Sequence, residues 1–110
     1  MRQLVLTTFL FLTSIITTLG QDKYLDKGND FLNSNEFDKA EQTFRDGIKS
    51  NPTNLIYQCQ LGLALIQQKK YLDAEQVLDM VLKTDSNNVG AIWYSGIGNF
   101  YNSKDREAVK

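Results

Sequence analysis

The feature that most constrains this chain is that it repeats itself. Displaced by 34 residues, Gly28 falls on Gly62, Phe31 on Leu65, Leu32 on Ile66 and Phe37 on Tyr71. The same displacement lays Ala40-Glu41-Gln42 on Ala74-Glu75-Gln76, Phe44 on Leu78, Ile48 on Leu82 and Lys49 on Lys83. A second displacement brings Ala108, inside Arg106-Glu107-Ala108, under Ala74. Size and polarity agree position by position. A period of this length is one supersecondary unit, too small to bury its apolar face alone, so copies must stack.

Each unit reads as two helices, which makes the chain all-α. Ala40, Phe44 and Ile48 recur at four-residue steps, and Ala74, Val77, Leu78, Val81 and Leu82 form a helical stripe. Glu41, Gln42, Asp46, Glu75, Gln76 and Asp79 take the opposite face. Polar breaks at Asn33-Ser34-Asn35-Glu36 and Gln68-Lys69-Lys70 separate paired helices. The stretches Ser50-Asn51-Pro52-Thr53-Asn54 and Thr84-Asp85-Ser86-Asn87-Asn88 are turns between units, with Asn54 and Asn88 placed to cap the helices that follow. A glycine inside a helix costs about 1 kcal/mol relative to alanine, so Gly28 and Gly62 need a packing reason. Close approach of the paired helix supplies one, with Ala40 and Ala74 as the expected small partners.

The set Gly28, Phe31, Ala40, Phe44 and Pro52 resembles the tetratricopeptide-repeat (TPR) family in residue type and spacing. The second unit matches through Leu61-Gly62, Leu65, Tyr71, Ala74 and Leu78, with Ser86 in place of the proline. The resemblance covers residues 21–110 and divides them into units 21–54, 55–88 and an incomplete 89–110. It implies a right-handed superhelical solenoid of antiparallel helix pairs, about two and a half units long. In the third unit either Gly96 or Gly98 could take the glycine position, a difference of two residues in register relative to Ala108. That unit stops about twelve residues short of the period. A repeat array needs its terminal apolar face covered, so either this is a fragment of a longer array or something else covers Trp93, Phe100 and Tyr101.

Residues 1–20 have a different character. Arg2 precedes an apolar run from Leu4 to Ile16, and Thr17-Thr18-Leu19-Gly20 follows before charge resumes at Asp22. This is the layout of a secretory signal, with cleavage expected after Gly20. The competing reading is a membrane anchor over residues 4–19, although the apolar run is shorter than the roughly 20 residues that span a bilayer. Export is expected, to a bacterial periplasm or cell envelope or, alternatively, as a secreted protein. No Asn-X-Ser/Thr acceptor occurs with X other than proline.

Composition enters by what it removes. The chain has no histidine, one cysteine, and 12 basic against 13 acidic side chains interspersed along its length. A basic stripe for phosphate backbones is missing, so nucleic acid is not expected as a partner. With no histidine and no cysteine pair, metal-ligand spacing and a nucleophile–base pair are both missing. The close carboxylates Asp73 with Glu75 and Glu36 with Asp38 stand at helix starts, where they complement the helix dipole. The chain therefore reads as non-catalytic, without cofactor, metal or small-molecule substrate, and touching a membrane only through an uncleaved signal segment.

The expected function is recognition of another protein. In the family resembled, the first helix of each unit lines a concave groove. Transferred to this chain, the groove residues are Leu25, Asn29 and Leu32, then Ile56, Cys59, Leu63 and Ile66, and in the third unit Trp93 and Ile97. Such a groove would be apolar, suited to a helix or an extended peptide. Family members that grip a C-terminal carboxylate use lysine, asparagine and arginine at set groove positions. Here Asn29 matches, but Leu25, Gln60, Gly90 and Tyr94 stand at the others, so that mode is disfavoured. The alternative is a structural subunit that self-associates through its incomplete end.

Overall fold

The computed structural model describes residues 22–109, which form five α-helices and, among the described residues, no strand. The signal segment expected over residues 1–20 lies outside them. The helices are α1 (Lys23–Asn33), α2 (Phe37–Ser50), α3 (Leu55–Gln67), α4 (Tyr71–Thr84) and α5 (Val89–Val109). Among the described residues no helix is long and apolar enough to cross a membrane.

Local chemistry sets the helix boundaries. At the start of α1 the Asp22 carboxylate accepts from the backbone N–H groups of Tyr24 and Leu25. Asn54 caps α3 by accepting from Ile56 N–H at 3.0 Å, and Asn88 caps α5 by accepting from Ala91 N–H at 2.9 Å. Each side chain thereby satisfies a donor that the first helical turn leaves unpaired. Helices α1 and α3 end alike. Glu36 N–H donates to Phe31 C=O while Asn35 N–H donates to Leu32 C=O, and Lys70 N–H to Leu65 C=O while Lys69 N–H donates to Ile66 C=O. This double closure requires a left-handed residue, and Asn35 (φ 61°) and Lys69 (φ 64°) supply it 34 positions apart. The tight turns fold α1–α2 and α3–α4 into antiparallel hairpins.

Every helix packs on its neighbour in the chain, and α3 also packs on α5. The core holds Ala40, Phe44, Tyr57, Cys59, Leu61, Ala64, Leu65, Ile66, Ala74, Leu78, Val81 and Ala91. The reason for the helical glycines differs from the one expected. A Cβ on Gly28 would stand 2.4 Å from the Phe44 ring, and one on Gly62 would stand 2.6 Å from Leu78 Cδ2. Each glycine is therefore a socket for the large side chain four residues beyond the alanine. Ala40 and Ala74 are buried in the same interface but do not fill the socket.

The third unit departs from the hairpin pattern. Ser103 stands where Asn35 and Lys69 turn the chain, yet α5 continues through it to Val109. Ala108 is thus on the same helix as Gly96, and its alignment with Ala40 and Ala74 does not correspond to a second helix among the described residues. The repeat pattern also changes at position 105. Phe37 and Tyr71 open α2 and α4 as half-buried anchors, whereas the third member of the series is Asp105. It is itself half-buried and accepts from the Tyr71 hydroxyl at 2.8 Å, tying the end of α5 to the start of α4.

Candidate functional site

Helices α1 and α3 lie side by side with a groove between them. Asn29, Leu32 and Asn33 come from α1, Gln60, Leu63 and Gln67 from α3, and Asn35 and Phe37 close one end. The groove volume is about 470 Å³. The walls are set by the register of the two helices: Asn29 and Leu63 are equivalent positions one repeat apart, as are Asn33 and Gln67. Leu32 and Leu63 are half-buried and give the groove an apolar floor. Five amide side chains surround them.

A chain of polar contacts crosses the first helices of all three units. Gln60 Nε2 donates to Asn29 Oδ1 at 2.7 Å, and Tyr94 Oη donates to Gln60 Oε1 at 3.0 Å. Gln60 thus uses both ends of its amide and fixes α1, α3 and α5 relative to one another. At the outer edge Tyr57 Oη donates to the Asp22 carboxylate at 2.6–2.7 Å. Burial, together with the bond to Asp22, pushes the Tyr57 hydroxyl up to about 12. Tyr57 therefore remains a donor throughout the physiological range.

Of the expected groove residues, the structure brings Asn29, Leu32 and Leu63 together. Leu25 is half-buried against the core, and Ile56 is exposed at the start of α3. Cys59 and Ile66 are corrections: both are buried, at 6% and 3% exposure, and neither offers a surface to a partner. They form the seam against α5. Cys59 lies against the Gly90 backbone, its thiol 3.4 Å from Asn88 Oδ1, and Ile66 lies against Gly98. Burial, with the nearby Asp85 charge, pushes the Cys59 thiol up. It is a protonated core group at neutral pH, and a weak nucleophile. Loss of these two apolar residues from the wall changes the expected character of the groove, which carries amides as well as leucines.

Trp93 and Ile97 border a different surface, Ile97 from a half-buried position that also packs against the core. With Ile92, Gly96, Phe100 and Tyr101 they line the outward face of α5. Trp93 and Phe100 are one repeat beyond Cys59 and Ile66, so they occupy seam positions, but among the described residues both are exposed.

Sequence reasoning missed Gln60 and Tyr94 as groove-ordering residues. In the sequence they stand out only as mismatches to a carboxylate-gripping pattern. Their 34-residue separation was a usable signal, since equivalent positions on successive first helices face one another. No family model, no curated protein and no solved structure matches the chain.

Proposed function

We propose that this chain is a tetratricopeptide-repeat adaptor, a right-handed solenoid of helix pairs that binds a segment of another protein and performs no chemistry. The observation that carries the reading is the groove between α1 and α3, in which amides from two consecutive first helices flank an apolar floor. An extended peptide exposes backbone donors and acceptors on both edges, and Asn29, Asn33, Asn35, Gln60 and Gln67 can answer either kind. Leu32 and Leu63 would take an apolar side chain between them. The amide content favours an extended strand over an apolar helix, because a helix has already satisfied its own backbone. Gln60 is held on both sides by Asn29 and Tyr94, so little ordering entropy is left to lose on binding.

Export to the envelope is part of the same proposal and rests on the apolar run between Leu4 and Ile16. The test is co-purification of the tagged full chain from the envelope fraction of its native host, beside Leu63→Glu and Asn29→Leu forms. Both substitutions lie on the groove wall and should leave the far-ultraviolet circular dichroism unchanged. A retained protein lost in both variants supports the groove. Retention of the same protein by both folded variants would place binding elsewhere.

A further inference from the structure

We propose that the outward face of α5 is a homodimer interface, in which α5 packs antiparallel on the α5 of a second copy about a twofold axis near Gly96 and Ile97. Ile92, Trp93, Ile97, Phe100 and Tyr101 follow helical spacing along this face, and Trp93 is 67% exposed. The two preceding units show what such a face requires. Gly28 is filled by Phe44 and Gly62 by Leu78, whereas among the described residues a Cβ on Gly96 would meet nothing within 4 Å. Gly98, the other candidate for this position, already lies against Ile66 and is accounted for within the chain. Gly96 is therefore an open socket on a helix whose two counterparts are both occupied by a large apolar side chain.

A second copy fits because the face is self-complementary. Its large residues are arranged symmetrically about the centre, with Ile92-Trp93 on one side and Phe100-Tyr101 on the other. Antiparallel packing places Ile97 of each copy over Gly96 of the other, Trp93 against Phe100, and Ile92 against Tyr101. A twofold axis sets identical patches against each other, so any charge near its centre would meet itself. Between Asp85 and Lys104 the chain has none. The exposed surfaces of α2 and α4, by contrast, carry Asp38, Arg45, Asp73 and Lys83. Aromatic side chains carry about 150–250 Å² each, and here three of them are roughly half exposed. With the aliphatic residues this gives on the order of 500 Å² per copy, about 1,000 Å² in all, at the lower limit for specific interfaces.

Trp93 is the only tryptophan in the chain, so its emission reports this face directly. The experiment is sedimentation equilibrium of the full chain from about 1 to 500 µM, with tryptophan emission recorded over the same range. Gly96→Leu and Trp93→Glu are compared with the wild type, and Leu63→Glu serves as the groove control. The expected result is a reversible monomer–dimer equilibrium with emission shifting to shorter wavelength as dimer forms. Gly96→Leu should weaken it at least tenfold with circular dichroism unchanged, because the leucine meets none of the described residues of its own chain and collides with the other copy. Trp93→Glu, read by mass alone, should abolish it, and Leu63→Glu should leave it intact. A wild type that remains monomeric to 500 µM with constant emission overturns the proposal, and leaves this face to some other helix. Association that persists unchanged in both Gly96→Leu and Trp93→Glu overturns it equally.

Discussion

At the scale of single residues, three glycines one repeat apart have the same local structure and opposite surroundings. Alanine gains about 1 kcal/mol over glycine in a helix interior. At Gly28 that gain is outweighed, since the new methyl group would overlap the fully buried Phe44 ring. Overpacking of this kind costs about 1–3 kcal/mol. At Gly96 there is no such collision with any described residue. In dilute solution Gly28→Ala is therefore expected to lower the thermal midpoint by several degrees, and Gly96→Ala to raise it by about 4–8 °C per kcal/mol gained. Differential scanning calorimetry of the two variants side by side decides the point. Equal shifts would mean that the sockets are not distinct. The glycine positions were legible in the sequence, but their partners were not. Sequence spacing shows that something must come close, and only packing shows that it is Phe44 rather than Ala40.

At the scale of helices, the hairpins are joined by a polar clasp. Glu41 on α2 accepts from Arg45 Nε at 2.9 Å, Gln68 Nε2 at 2.9 Å and Lys70 Nζ at 3.1 Å, the last two from the turn between α3 and α4. Burial raises the Glu41 carboxyl, but these hydrogen bonds and the Lys70 charge overcome it and hold the group down at about 2. In the unfolded chain the same group titrates near 4.5. Its contribution is therefore complete above that value and is lost as pH falls from about 4.5 towards 2. Arg45 and Lys70 are nearly half exposed, so solvent screening limits the contribution to about 1–2 kcal/mol. Glu41→Gln is expected to reduce stability at pH 7 by that amount and to flatten the decline between pH 5 and 2. Urea denaturation at a series of pH values measures both, and an unchanged acid limb would show that the clasp is not coupled to folding. The helix boundaries were readable because Asn54, Asn88 and the polar breaks act locally. The continuation of α5 was not, and the contact of Asp105 with Tyr71 that ties its end down is made across the fold.

For the whole molecule, stability is carried by interfaces between neighbouring helices, and the middle hairpin contributes to both sides. Helix α3 packs on α2, α4 and α5, and α4 packs on α3 and α5. Ala74, only 2% exposed, sits within this packing. An unpaired carboxylate there would cost several kcal/mol, comparable to the total stability of a small domain. Ala74→Glu is expected to abolish the helical circular dichroism of the full chain at 25 °C, whereas Ala74→Ser should stay folded with a modest loss. A folded Ala74→Glu with an unshifted midpoint would refute the packing described for α4.

By itself the sequence determined the all-helical class, the 34-residue unit, the capping asparagines and the apolar stripes, because each depends on residues within one or two turns of each other. The tertiary structure decided how apolar positions are shared between the groove and the seam. Cys59 and Ile66 have the same periodicity as Leu63, and no local rule separates them. Only the placement of α5 over α3 buries the first two and leaves Leu63 on the groove wall, since burial depends on which neighbouring helix a face meets.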